Sequence, residues 1–361
     1  AVLDRGEVVV VDDGSTEPSA IRAVVERLGG TVVRHERSLG PAAARNTGWR
    51  MTTRPIVAFV DADVVGREGW LDLLLAVLGD ADVVAVAPRI RAVDGGGPRW
   101  LSAYDGVRSS LDLGAHRALI RRRSRVSYVP TTALVVRRDA LERVGGFDEE
   151  LRVGEDVDLV WRLSDAAGAV RYEPAVEVEH PTRSSLADWL RQRFRYGTAA
   201  ADLAARHGDA VAPLELSGWS GLTWLLAGIG QPALASAVGL GSTAALAPRL
   251  SSLDHPARAA ARLGGLGHLH AARAVADALR RPWWPVALVL AWRCPRSRPA
   301  LAAVAVLPGL MSWWQTRPAI GPARHARFPP AEVTRQGSSV QGWPTRSAAV
   351  WLFARSFSSP S

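Results

Sequence analysis

The chain has 361 residues, 48% of them hydrophobic, with a net charge of +9 and a single cysteine, Cys294. That is enough apolar material for a large core and for two domains rather than one, and it excludes an internal disulfide or a cysteine-built zinc site. All 44 cationic side chains are arginine, and they are scattered rather than interleaved with aromatics; this argues against nucleic acid and leaves phosphate-bearing substrates or an anionic membrane face as partners.

Residues 8–11 form a β-branched run that reads as a strand and ends in Asp12-Asp13-Gly14-Ser15. Pro18 opens a helix whose apolar positions Ile21, Val24, Val25 and Leu28 follow helical spacing, and Gly29-Gly30 closes it. Residues 31–34 read as a second strand, and Gly40-Pro41 starts a helix that carries Arg45 and Asn46. Residues 56–61 are apolar without alternation, as in a strand buried on both faces, and they run into Asp61-Ala62-Asp63. A helix over 70–78 and a strand over 83–87 follow. This alternation predicts a doubly wound, mainly parallel α/β sheet. In such sheets ligands bind beyond the carboxyl ends of the strands, so these acids stand where a substrate would lie. Two acids one residue apart can share a divalent cation, although an isolated D-x-D is more often a pair of solvated turn acids. An α/β nucleotide-binding domain is expected to have a strand and helix before residue 8, so a missing start is the expectation, and no signal peptide is legible.

Regularity lapses over 94–125, which includes the basic run Arg121-Arg122-Arg123, and resumes as a strand over 128–137 and a short helix over 139–144. Gly154-Glu155-Asp156 opens an amphipathic helix that places Asp156 in its first turn. A strand over 170–179 ends at His180-Pro181, and Ser184 or Ser185 caps a long helix that holds Gln192-Arg193-Phe194-Arg195-Tyr196. From Leu216 the composition shifts. Residues 222–247 carry no charge and are long enough to span a bilayer, although glycines and the Gln231-Pro232 pair interrupt them, and two shorter apolar runs, 282–292 and 299–314, flank Arg293, Arg296 and Arg298. Tryptophans sit at the ends of these runs, as in an aromatic belt, and the arginine loop is expected on the cytoplasmic side. Residues 249–281 read as interfacial amphipathic helix, and the stretch beyond Gln315 as disordered. The expected organisation is a catalytic domain over 1–215, a hydrophobic helical region over 216–315 and a tail over 316–361.

Singly these motifs are weak. In this order and at these distances they resemble the family-2 inverting glycosyltransferases, whose catalytic domain has the GT-A fold. The resemblance covers about residues 8–197 and rests on D-D-G-S at 12–15, G-P-A-A-A-R-N-T-G at 40–48, D-A-D at 61–63, G-E-D at 154–156 and Q-R-F-R-Y at 192–196. The last is similar to the Q-x-x-R-W motif of processive β-glycan synthases, with Tyr196 in place of Trp. A GT-A domain followed by a Trp-rich membrane tail is similar, more narrowly, to the glycosyltransferases of the mycofactocin system, which extend a peptide-derived redox cofactor with glucose.

The resemblance implies a UDP-sugar donor, a hydroxyl acceptor and a β linkage. Asp63, with Asp61 and His180, would hold Mg²⁺ or Mn²⁺ against the donor diphosphate, or Asp61 would instead face the donor ribose. Asp12 and Asp13 would meet the donor, with Asp13 accepting from the uracil ring, and Arg45 and Asn46 would lie along it. Asp156 would be the general base, with Glu155 beside it. Gln192 and Arg195 would stand near the acceptor and the diphosphate, and Tyr196 would stack on an acceptor sugar. The implied location is the cell membrane with the catalytic domain in the cytoplasm. Two alternatives stand beside this reading: a transferase that loads sugar onto a polyprenyl phosphate, and a membrane-anchored sugar-binding relative without catalysis.

Overall fold

The computed structural model describes residues 6–211, 216–280, 283–299, 301–302, 304–306, 310 and 348–354. The chain divides into two compact units, Ala1–Ala210 with Ala319–Ser361, and Val211–Pro318.

The first unit is built on one sheet. Its strands are β1 (Gly6–Asp13), β2 (Thr31–His35), β3 (Ile56–Asp61), β4 (Val65–Gly66), β5 (Val83–Val93), β6 (Ala118–Leu119), β7 (Ala133–Arg137), β8 (Ala169–Pro181) and β9 (Ala348–Ala354). They lie in the order β2-β1-β9-β3-β7-β5-β8-β4, with β6 paired to β8. β1 and β2 are parallel, as are β5 and β8, whereas β7 and β9 run antiparallel to both of their neighbours. The sheet is therefore mixed, which corrects the expectation of a mainly parallel one. Sequence periodicity marks where a strand lies and carries no sign of its direction.

Helices α1 (Pro18–Arg27), α2 (Pro41–Arg50), α3 (Trp70–Val77), α4 (Arg99–Arg108), α5 (Arg138–Val144), α6 (Glu155–Ala166) and α7 (Leu186–His207) accompany the sheet. β3 shows why the core has two layers. Val57 and Phe59 point into one cluster with Val9, Val11, Leu134 and Leu159, and Phe59 meets Phe147 edge-on at 5.1 Å between ring centres. Ile56, Ala58 and Val60 point into the other, against Trp70, Leu74 and Val178. Alternation along a strand sends its side chains to opposite faces, so a strand covered on both sides must be apolar throughout.

β9 is the largest departure from the expected organisation. Of the residues after Gln315, those at Ala348–Ala354 are described, and they form a strand between β1 and β3 rather than part of a structureless tail; the remainder of that tail lies outside the described residues. An isolated seven-residue apolar run in a Pro- and Ser-rich stretch gives no sign that its partners lie almost the whole chain away.

The second unit contains α8 (Gly218–Gly228), α9 (Pro232–Ala244), α10 (Pro256–Arg280) and α11 (Trp284–Arg293). The apolar stretch over 222–247, expected to span a bilayer, is broken into α8 and α9 of 11 and 13 residues. Gly230 turns the chain at φ +81 and Pro232 restarts it at the head of the next helix. At 1.5 Å per residue neither piece reaches across the ~30 Å of a hydrocarbon core. No helix among the described residues is long and apolar enough to cross a membrane; part of the run ending at Trp314 lies outside them. α8, α9 and α10 meet around His268, whose ring nitrogens each lie 3.0 Å from a serine hydroxyl, Ser220 and Ser242, and whose carbonyl accepts from Trp224 Nε1 at 2.8 Å.

Candidate active site

The first acids stand at the end of β1, as expected, but they face inward. Asp12 accepts from Ser15 N at 2.8 Å and is paired with Arg34. Asp13 uses both carboxylate oxygens: Leu39 N and His35 Nδ1 on one, at 2.8 and 2.7 Å, and Ser38 Oγ and Gly40 N on the other, at 2.8 and 2.9 Å. Burial alone would raise its pKa, but these bonds to Leu39, His35, Gly40 and Ser38 hold it below the ordinary carboxylate value. A carboxylate so engaged has little capacity left for a uracil ring. Asp13 instead fastens the loop over residues 36–40 to the sheet.

The helix α2 is likewise occupied from within. Gly40, at φ +103, and Pro41 at the first turn set its start. Asn46 is 1% exposed. Its amide donates to Phe147 O and Glu149 Oε1 at 2.8 and 2.7 Å and accepts from Phe147 N and Trp49 Nε1 at 2.9 and 3.0 Å. That is a complete set for an asparagine, and it ties α2 to the 147–149 loop. Gly146 packs directly on it: at φ +75, an added Cβ would lie 2.6 Å from Asn46 Oδ1. Gly146→Ala is expected to cost on the order of 1–3 kcal/mol through backbone strain and the clash. Urea unfolding measures this, and an unchanged midpoint would mean that Asn46 can move aside.

Arg45, expected along the diphosphate, is 6% exposed. Its Nη1 donates to Glu155 Oε1 at 2.6 Å and its Nη2 to Asp61 Oδ1 at 3.1 Å. Asp61 at the end of β3 thus turns to Arg45 rather than toward a shared metal site. Asp63 is the acid that meets His180 at the end of β8, with Oδ2 and Nε2 3.3 Å apart. Burial would raise the Asp63 pKa, but the bond to His180 and the charges of His180 and Arg183 bring it below the usual value. Among the described residues no cluster of three or more His, Cys, Asp and Glu gathers to hold a metal. Asp63 and His180 form a two-ligand corner, which suits Mg²⁺ or Mn²⁺ if phosphate and water supply the remaining ligands.

Gly154 enters α6 at φ +86, and a Cβ there would press on Leu203 and Ala199 of α7 at 3.0 and 3.1 Å. Asp156 lies in the first turn of α6, where the helix dipole favours a carboxylate. Burial first, and the adjacent Glu155 carboxylate second, outweigh this and push its pKa up to about 7, with Arg45 opposing them. Position at the helix end alone would suggest an ionised carboxylate. Desolvation is a property of the fold and is not readable from helix position.

On α7, Gln192 Nε2 donates to Tyr196 Oη at 2.8 Å, and Arg183 Nε donates to Gln192 Oε1 at 3.2 Å. Arg195 is exposed. The Tyr196 pKa is raised by burial, with Gln192 opposing and the Asp156 charge adding to the rise. A small cleft of about 20 Å³ opens between the end of β8 and α7, and Asp105, His180, Arg183, Gln192 and Arg193 line it. Asp105, buried on α4, accepts from Trp189 Nε1 at 3.0 Å and so fixes the first half of α7. Arg183, Asp105 and Tyr128, whose phenol is pushed up to about 12 by burial and by Asp156, were not legible as site residues. Of the three, Arg183 carried a signal, as a cation three residues past a strand-ending histidine.

The sequence profile of Glycosyl transferase family 2 matches residues 3–145. The chain is 42% identical over 317 residues to the pre-mycofactocin glycosyltransferase of Mycobacterium tuberculosis, covering 86% of this chain and 67% of that protein. It is 33% identical over 185 residues to the succinoglycan biosynthesis protein ExoU of Rhizobium meliloti, covering 47% of this chain and 51% of that one. Among solved structures, a mannosyltransferase from Pyrobaculum calidifontis in complex with GDP-Man and Mn²⁺ shares 22% identity over 86% of this chain and 78% of its own, at a TM-score of 0.41, a likeness too loose to build on. With the acids of the family motifs gathered at one end of the sheet, and with identity of this depth to a curated member, the chain belongs to glycosyltransferase family 2 and is a glycosyltransferase.

Proposed function

We propose that the enzyme moves a hexose, glucose by preference, from a UDP-sugar to a hydroxyl of a pre-mycofactocin acceptor or its growing glucan, with inversion to a β linkage. The observation that carries this reading is that Asp61, Glu155 and Arg45 form one cluster beside Asp156, on a chain that shares 42% identity with a pre-mycofactocin glycosyltransferase. Asp156 accepts the proton of the acceptor hydroxyl while that oxygen attacks the anomeric carbon from the face opposite the departing UDP. Its raised pKa puts it close to the operating pH, where a base is most effective. Asp63 and His180 would hold Mg²⁺ or Mn²⁺, which when bound supplies positive charge against the leaving diphosphate. Arg183 stands close enough to Asp63 to add a second positive charge. Gln192 holds the Tyr196 hydroxyl, leaving the ring to meet an acceptor sugar.

The test is the fate of radiolabel from UDP-glucose. Label in a water-soluble oligosaccharide conjugate of the cofactor precursor supports this reading, and label in an organic-extractable lipid shows a polyprenyl-phosphate acceptor instead.

We further infer that the second unit lies on a membrane surface, with the catalytic unit on the cytoplasmic side, where nucleotide sugars are made. Leu240 and Trp292 are each 72% exposed, and Trp219, Leu225, Leu269 and Leu288 are exposed as well. Residues 216–315 hold nine arginines against Asp254 and Asp277. Apolar exposure with a cationic balance suits an interfacial position on anionic lipid. The protein is expected to float with phosphatidylglycerol vesicles and to be released by carbonate. Sedimentation without lipid from such vesicles would refute this.

A further inference from the structure

Arg45 bridges two loops of the site. Its guanidinium holds Glu155, next to the proposed base, and Asp61, at the head of the D-A-D turn, from two different nitrogens. It lies over the Phe147 ring, 5.6 Å from the centroid, on a loop that Asn46 itself fixes. Its Nε–H is buried without a hydrogen-bond partner. A planar, always-charged fork held in this way moves as a rigid unit. A shift at one carboxylate must therefore reach the other.

A cation held between the buried Glu155 and the half-buried Asp61 is poorly placed to leave for a phosphate, because departure would strand the Glu155 carboxylate out of water. A direct donor contact is thus disfavoured. The two partners of Arg45 come one from each half of the site. We propose that Arg45 is a positioning residue that couples donor seating at Asp61 to the alignment of Asp156 through Glu155. The proposal rests on the assignment of Asp156 as base and of the D-A-D turn to the donor. It adds that the two are not independent: the base is set for attack when the donor turn is in place. Such coupling would limit wasteful hydrolysis of an unaccompanied donor.

A double-mutant cycle on the intact protein tests this with isosteric changes, Asp61→Asn and Glu155→Gln, neither of which empties space in the core. UDP affinity by calorimetry in Mg²⁺ and the rate of sugar transfer are measured for all four proteins. In the parent background Glu155→Gln is expected to slow transfer about tenfold, because small misplacements of a reacting group are costly. In the Asp61→Asn background the same change should cost no more than about threefold, since residues in one network are not additive. Glu155→Gln should also shift UDP affinity in the parent, acting through Arg45, and should cease to do so once Asp61 is changed. A merely structural role would lower the melting temperature and leave this UDP-linked cross-term at unity. Equal costs of Glu155→Gln in both backgrounds, in a parent that binds UDP, overturn the coupling alone. A folded parent that fails to bind UDP overturns the donor assignment on which it rests.

Discussion

Asp156→Asn is expected to bind UDP as the parent does and to lose transfer to acceptor by about 10²–10⁴-fold, the usual cost of removing a general base. Asn keeps the shape and the bond from Val157 N, at 2.8 Å in the parent, and loses only the capacity to take a proton. The stability effect has a definite sign. The pKa of Asp156 is raised in the folded protein, from 3.8 to about 7, so the folded state holds this proton more tightly than the unfolded one. Stability from this group is therefore greatest below pH ~4, declines as pH rises to about 7 and is level above that. At pH 8 the Asn variant, which has no buried charge to keep, should melt no lower than the parent. Transfer by the parent should climb with pH through about 7 to a plateau, and the Asn variant should show no such limb. Transfer within about tenfold of the parent would remove Asp156 from the role of base.

The second large effect falls at the donor corner. Asp63→Ala is expected to weaken Mg²⁺-dependent UDP binding by at least about 100-fold, because it removes the carboxylate of a two-ligand site. His180→Ala should act in the same direction on metal affinity. The pair is separable from a stability effect: with no metal present, both variants should bind UDP as weakly as the metal-free parent does. Calorimetry with and without Mg²⁺ decides it, and a folded Asp63→Ala variant with undiminished metal dependence would place the cation elsewhere.

Much of the frame was legible. The apolar run of β3 and the acids at its end, the Gly40-Pro41 start of α2, the Ser185 cap of α7, which accepts from Asp188 N, and the helix opened by Glu155 all follow local rules of pattern and capping. β5 was read as ending at Ala87 and runs on to Val93, because Pro88 is absorbed by a shift in register against β8 rather than ending the strand. What local pattern could not carry was pairing over distance. Arg45 looks like a free cation on a helix, and only the fold brings Glu155, 110 positions away, onto it. Asp13 and Asn46 look like ligand-binding groups because their types are right; the loops that consume their hydrogen bonds lie elsewhere in the chain. The broken apolar stretch in the second unit failed for a different reason. Hydropathy sums over a window, and it outweighed the interruption at Gly230 and Pro232 that ends one helix and starts the next.

The position of β9 bears on how the molecule comes to be folded. Val350 pairs with Val10 on one side and with Val60 on the other. The β1–β2 pair is joined to the rest of the hydrogen-bonded ladder through this strand. On a ribosome, both edges of that gap would emerge long before the strand that fills it. Until then two apolar edges stand open, which is the condition that favours edge-to-edge aggregation. Contacts that close nearly the full length of a chain are also among the slowest to form. Closure of this end of the sheet is therefore expected to be a late step, with Asp12 and Asp61 brought to their final separation when β9 slides between their strands, and a nascent or refolding chain would depend on protection from self-association until then.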